Sequence, residues 1–290
     1  MRTIDVWYTR IDEQRFSQYL SKSGRKRLDK AVAKARRKDS LRALDKLTYD
    51  VGGEPRIISD PPLVIPIDEL AGTVEPERVR DRLGTYLRDY QKTLQHNRRQ
   101  LLGAYHLVDV AHKVVGVGSV GTRAWIVLML GRDASDPLFL QLKEAERSVL
   151  EPFVGRSRRV NQGRRVVEGQ RMMQAASDVF LGWLHTDKDL DGRPRDYYIR
   201  QLWDAKGSAD IETMASAELG AYGEFCGWTL ARAHARTGDA VAMAAYLGGG
   251  DGFESALAAF AETYADQNER DHARLAAAVR AGTVEADLDR

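Results

Sequence analysis

Cysteine is nearly absent from this 290-residue chain, which contains Cys226 alone. A single cysteine allows no disulfide within the chain, and this composition is typical of a reducing compartment. The apolar helical pattern around Cys226 predicts a buried core thiol. No apolar run approaches the ~20 residues of a transmembrane helix, and the first residues lack the apolar core of a signal peptide. These absences predict a cytoplasmic protein without a membrane partner.

A strong excess of either charge is also missing. The chain has 44 Lys and Arg against 42 Asp and Glu, a formal net charge of +2. The predicted helix at 21–47 is nevertheless basic, which is typical of a solvated helix face or of an anion site for phosphates. No aromatic residues alternate with its basic residues, so we do not expect nucleic acid as a partner.

Turn residues and hydrophobic periodicity divide the chain into three predicted regions. An N-terminal region covers 1–103, a β-rich domain covers 104–204, and a helical region covers 205–290. Amphipathic periodicity predicts long helices in the first and third regions and a further helix inside the second. These helices are predicted at 21–47, 77–102, 164–180, 211–237, 241–247 and 253–279. Prolines in the segment 60–66 favour an extended chain.

Three apolar runs between Leu107 and Leu142 predict three consecutive antiparallel strands. The polar turns between the runs are too short for the helical crossover that parallel strands need. A further hairpin, from 181–183 and 197–202, would complete a five-stranded sheet.

A glycine-rich stretch separates the first two of these runs, with Gly116, Gly118 and Gly121 in the spacing G-x-G-x-x-G. This spacing occurs in dinucleotide-binding turns, where it opens a helix. It also occurs in hairpin flaps whose backbone N–H groups lie over phosphates, with a lysine on the next strand but one. An ordinary hairpin is the third interpretation. A strand-like run follows here, and Lys143 lies two strands on, which favours the phosphate flap.

Longer motifs resemble a bacterial family, the domain-of-unknown-function family 2252. They are VVGVGSVGTR (114–123), LQLKEA (140–145), VVEGQRMMQAASDVFLGW (166–183) and LARAHARTGD (230–239). The likeness runs nearly from end to end. The family is grouped with protein-kinase-like folds. The resemblance therefore implies an α+β fold, with a five-stranded antiparallel lobe carrying one packed helix, and a mainly helical lobe.

The resemblance also implies ATP and magnesium as cofactors. Backbone N–H groups of Gly116, Gly118, Ser119 and Gly121 would cover the phosphates. Lys143 would bridge the α- and β-phosphate oxygens as a point charge. An ion pair from Glu168 would hold Lys143 in place. Gln201 belongs to the segment 200–203, which would face the adenine.

Members of this family usually carry two further motifs ahead of the region that matches Ile4. These are D-A-H-x-x-N-F-G and D-x-N-D-F-D-E, which look like a kinase catalytic loop and its metal-binding aspartate. Neither is found in this sequence, so no residue is assigned to catalysis or metal binding. We expect a nucleotide-binding lobe that is catalytically incomplete, with a separate upstream segment as a candidate partner. The alternative is a non-catalytic interaction module that docks on such a segment without nucleotide turnover.

Overall fold

The computed structural model describes residues 6–7, 17–18, 20, 22–36, 40–70, 76–114, 121–189, 192–202 and 209–286, with the side chains at 23, 31, 34–36 and 76–80 left out. The chain is α+β and divides into two compact units, residues 1–237 and 238–290. The three-region division expected from the sequence stays a prediction.

In its described part, the first unit has helices before, within and after a run of strands. The helices are α1 (Lys22–Arg36), α2 (Ser40–Leu47), α3 (Ile67–Leu70), α4 (Pro76–Lys92), α5 (His96–Leu102), α6 (Glu151–Val154), α7 (Gln162–Met173), a 3-10 turn (Ile211–Thr213) and α8 (Ser216–Thr237). The strands are β1 (Thr48–Val51), β2 (Glu54–Ile57), β3 (Val64–Pro66), β4 (His106–Lys113), β5 (Ala124–Leu130), β6 (Pro137–Glu144), β7 (Gly182–Thr186) and β8 (Arg195–Gln201).

Six of these strands form one antiparallel sheet in the order β3-β4-β5-β6-β8-β7, and β1 pairs with β2 in a separate ribbon. The three consecutive antiparallel strands predicted between Leu107 and Leu142 are confirmed as β4, β5 and β6. The predicted hairpin is confirmed as β7 and β8. The dinucleotide turn opens a helix that leads to a parallel strand, whereas β4 and β5 are antiparallel neighbours, which rules out that interpretation.

The five-strand count was wrong, because the proline-rich segment supplies a sixth strand. Val64 pairs with Lys113, and Pro66 pairs with Ala111. A proline cannot donate a hydrogen bond to a ladder, so this segment fits only at the sheet edge, where β3 lies. A three-residue strand that contains proline carries too weak a pattern for detection from the sequence.

Three predicted helices differ in extent. The helix expected at 21–47 is described as α1 and α2, with residues 37–39 outside the description. The helix expected at 77–102 divides into α4 and α5. The chain turns at Thr93, whose N–H and hydroxyl both donate to the Tyr90 carbonyl. The helix expected at 164–180 ends at Met173, and Gln174 is already extended, at φ −82° and ψ 144°.

Both faces of the six-stranded sheet are covered. One face packs under α4 and α5 in a cluster that includes Tyr90, Leu102 and Leu140. The other face packs against α2 and β2, with Ala43, Ile57 and Phe139 in its core. We call these the α4 face and the α2 face. Every residue of β5 is buried, as expected of a strand covered on both sides, which explains its continuous apolar sequence.

Helix α8 packs against α7 and leaves several apolar side chains in solvent, among them Leu219 and Leu230. Cys226 on the same helix is exposed, so the expected core thiol was wrong. The second unit has two helices, α9 (Ala240–Leu247) and α10 (Gly252–Arg280), close to the predicted bounds. None of the helices in the described ranges is both long and apolar enough to cross a membrane.

Helix α7 lies directly on the strands β7 and β8 at Gly163. A Cβ atom at this position would lie 2.1 Å from the Tyr197 carbonyl oxygen and 3.2 Å from the Trp183 Cβ. The close approach of helix and strand therefore requires glycine at 163, since the backbone of β8 cannot move without breaking its pairing with β6.

We expect Gly163→Ala to lower the free energy of unfolding by about 3 kcal/mol, as overpacking a close contact does. The matched control is Gly169→Ala in the same helix, where the added Cβ would meet just the flexible Met173 side chain, at 3.9 Å. Because alanine favours helix, the control should be neutral or slightly stabilising. Urea unfolding of both variants measures the difference, and equal effects would contradict the packing of α7 on β8.

Candidate functional site

The glycine-rich stretch connects β4 to β5. Gly116, Gly118 and Ser119 lie in the segment 115–120, outside the described residues. Gly121 is described and has a φ of +81°, a left-handed conformation that glycine adopts without strain. Among the described residues, a Cβ there would meet nothing within 4 Å, so the backbone conformation favours glycine at this position.

Lys143 lies near the end of β6, close to the point where the glycine-rich connection enters β5. It is paired with Ala124 of β5 and Tyr198 of β8. Side chains alternate along a strand, so Lys143 shares the α2 face with Phe139. The side chain is half-buried. Burial lowers the pKa of Lys143, and the positive charge of Arg200 lowers it further.

Arg200 and Gln141 lie beside Lys143 on the α2 face, opposite each other in β8 and β6. The Arg200 guanidinium donates to Gln141 Oε1 from Nη2 at 3.1 Å and from Nε at 3.3 Å. Gln141 is 2% exposed, and its Nε2 has no hydrogen-bond partner in the part of the chain that the structure describes. A buried amide without a partner costs free energy, and so calls for an acceptor.

Glu168 does not pair with Lys143, contrary to the sequence-based expectation. Its carboxylate forms ion pairs with Arg159, whose Nε lies 2.5 Å away, and with Arg164, whose Nε lies 2.7 Å away. Burial raises the pKa of Glu168, but the hydrogen bonds and charges of these two arginines outweigh it and lower the pKa overall. Among the described residues, Lys143 forms no ion pair. The carboxylate of Glu168 pairs instead with Arg159 of the preceding loop and with Arg164, one turn earlier in α7.

Gln201 is the last residue of β8, and its N–H donates to the Asp178 carboxylate. It is paired with Leu140, three residues before Lys143, which corresponds to about 10 Å along β6. Alternation puts Gln201 on the α4 face. The structure therefore separates Gln201 from Lys143, while Arg200 next to it lies on the lysine's own face.

A buried ionic network occupies the same end of the sheet on the α4 face. The Asp189 carboxylate accepts from Tyr197 Oη at 2.6 Å and from Arg123 Nη1 at 2.9 Å, and it forms an ion pair with Arg195, whose Nε lies 3.3 Å away. Glu144 accepts from Arg195 and from the Arg123 N–H. Burial raises the pKa of Tyr197, and its hydrogen bond to Asp189 adds to the increase. Because Arg123 follows the glycine stretch directly, this network fixes the point where that stretch enters β5.

Arg200 was expected in the adenine-facing segment, and its place beside Lys143, the buried Gln141 and the ionic network were not predicted from the sequence. A glutamine inside the apolar run from Leu138 to Leu142 was the available signal for a buried polar site. Arg123 and Asp189 lie 66 residues apart, so nothing in local spacing connects them.

The site has the chemistry of an anion site more than that of a metal site. Two half-buried cations, Lys143 and Arg200, and a buried amide donor of Gln141 share one face. Phosphate oxygens suit such donors. Within the described ranges, no three His, Cys, Asp or Glu side chains come together as metal ligands.

Fold and site together define an α+β protein with a cationic, half-buried sheet face beside a glycine-rich connection. The chain belongs to the domain-of-unknown-function family 2252, uncharacterised proteins conserved in bacteria, which it matches over residues 1–278. The resemblance inferred from the motifs is thus confirmed. No curated protein and no solved structure matches the chain.

We expect Asp189→Asn to lower the free energy of unfolding by about 3 kcal/mol, because it removes a buried negative charge that pairs with both Arg123 and Arg195. The matched control is Asp89→Asn, which breaks an exposed pair with Lys92 and should cost less than about 1 kcal/mol. Denaturant unfolding measures both. A loss for Asp189→Asn as small as that of the control would contradict a structural role for the network.

Proposed function

We propose that this chain binds the phosphate groups of a nucleotide on the α2 face, as the nucleotide-binding lobe of a kinase-like phosphotransferase. The observation that carries the proposal is the pair of cations, Lys143 and Arg200, half-buried beside the glycine-rich connection. No described carboxylate pairs with Lys143, and the amide Nε2 of Gln141 is unpartnered within the described chain. ATP is the nucleotide that the family resemblance suggests.

Electrostatics supports an anionic ligand. Burying a cation without a partner is costly, and folded proteins normally pair it with an acid. Here burial lowers the pKa of Lys143, and the positive charge of Arg200 lowers it further. A bound phosphate would offset both charges. Arginine and lysine provide the forked and the point-like donors that phosphate oxygens bind.

The order of elements supports the kinase-like assignment. A hairpin around a glycine-rich stretch (β4 and β5) precedes a third strand that carries a lysine (β6), and a helix (α7) and a second hairpin (β7 and β8) follow. A glycine-rich loop, a lysine on the third strand and a helix after it are the parts with which protein kinases hold ATP. With Glu168 held by Arg159 and Arg164, Lys143 would act on phosphates without the customary glutamate.

Phosphoryl transfer needs more than this lobe. A kinase-type site uses an aspartate to orient the acceptor and further Asp and Asn side chains to hold magnesium. We assign none of these roles to the residues of this sequence, so we expect nucleotide binding without turnover. In this proposal, magnesium would reach the site bound to the nucleotide.

A second candidate function is that of a non-catalytic module that docks on another polypeptide segment. The observation that favours it is the exposure of Leu219 and Leu230 on α8. An apolar patch of this kind is typical of an interaction surface. The two functions differ in one property, since a docking module needs no nucleotide.

Titration with magnesium–ATP in a calorimeter tests the first function. We expect saturable binding, and Lys143→Ala should weaken it about tenfold to a hundredfold, which corresponds to the loss of charge-assisted hydrogen bonds. Lys92→Ala is the matched control, because Lys92 is exposed and pairs with Asp89 on α4, so affinity should not change. Labelled ATP should stay intact with all three proteins.

Absence of binding by the unmodified chain would overturn the nucleotide function and leave the docking module. Equal affinity for Lys143→Ala and Lys92→Ala would show that nucleotide binds away from the α2 face.

A further inference from the structure

A cleft opens on the α4 face of the sheet, on the side opposite Lys143. Its volume is about 80 Å³. The floor is apolar and aromatic, with Trp125, Val127 and Leu142 from the central strands. Leu83 and Tyr86 of α4 form the roof.

Two cations stand at the rim of this cleft. They are Arg82 of α4 and Lys188 of the turn between β7 and β8. No ion pair joins either to another residue in the described part of the chain. The Tyr86 hydroxyl donates to the Lys188 carbonyl at 2.8 Å, which ties the helix to the turn and keeps both cations at the same opening.

Both signs of charge act at this opening. Burial raises the pKa of Tyr86, Asp189 and Asp187 raise it further, and Arg82 lowers it. Asp189 is also ion-paired within the ionic network, which offsets part of its charge. The interior offers few polar groups, so the charged end of a ligand would stay at the opening beside Arg82 and Lys188.

We propose that this cleft is a binding site for an amphipathic anion, with an apolar chain or ring against Trp125 and Leu142 and a carboxylate at Arg82 and Lys188. An apolar body gains from burial in the cleft. A carboxylate head gains charge-assisted hydrogen bonds that a neutral head cannot form. A medium-chain fatty acid has this chemistry. The site is separate from the proposed nucleotide face, because Leu142 and Lys143 are neighbours in β6 and point to opposite sides of the sheet.

Calorimetric titration of the full chain with decanoate, and separately with decanol, tests the proposal. We expect one decanoate per chain, and decanol at least about tenfold weaker, since it lacks the charge. The double variant Arg82→Gln/Lys188→Gln should reduce decanoate affinity to that of decanol and leave decanol binding unchanged. Lys92→Gln, which removes a cation on the same helix α4 that pairs with Asp89, should bind decanoate as the parent does.

Filling the cleft provides an independent variant. Leu83→Trp should abolish the binding of both compounds while thermal unfolding remains cooperative. If this variant fails to fold, the comparison between the double variant and Lys92→Gln decides. Equal affinity for decanoate and decanol, no saturable binding, or a double variant that binds decanoate like the parent would each overturn the proposal.

Discussion

The burial of β5 on both faces is the constraint on which the rest of the first unit depends. Because neither side of this strand meets water, its interior positions must be apolar, and polar groups near it must find partners inside the protein. Two charged residues follow this rule on the α4 face. Arg123, just before β5, pairs with Asp189, and Glu144, at the end of β6, pairs with Arg195. Two groups on the α2 face depart from this rule within the described chain. Lys143 has no acidic partner, and the Nε2 of Gln141 has no hydrogen-bond acceptor.

Because side chains alternate along β6, this strand contributes to two surfaces. In β6, Leu142 faces the apolar cleft below α4, and Lys143 faces the cationic side next to α2. The two sites are separated by the thickness of the sheet and share its backbone. The ionic network lies on the cleft side of the sheet, where Asp189 lines the cleft and pairs with Arg123 at the end of the glycine-rich connection.

Strand positions and helix existence were readable from the sequence because apolar runs and periodicity are local signals. The ends of α4 and α7 could not be read in this way. The end of α4 depends on the Thr93 hydroxyl. The end of α7 depends on a segment fixed by Asp178, whose carboxylate accepts from the N–H groups of Phe180 and Gln201. One partner of Glu168 did have a local signal, since Arg164 lies four residues earlier in the same helix. The approach of Arg159 depends on how the preceding loop folds, which no local pattern reveals. Strand register, which no local pattern reveals, placed Arg200 beside Gln141.

Lys143 is a half-buried cation that has no acidic partner among the described residues, and we infer that it is available to an anion. Nuclear magnetic resonance titration of the Lys143 side chain against pH measures it directly. The account predicts a pKa below the ordinary lysine value of 10.5 in the free protein, and a rise when magnesium–ATP binds, because a neighbouring anion favours the charged form. A pKa at or above the ordinary value in the free protein would contradict the account, since a carboxylate would then already occupy the place assigned to phosphate.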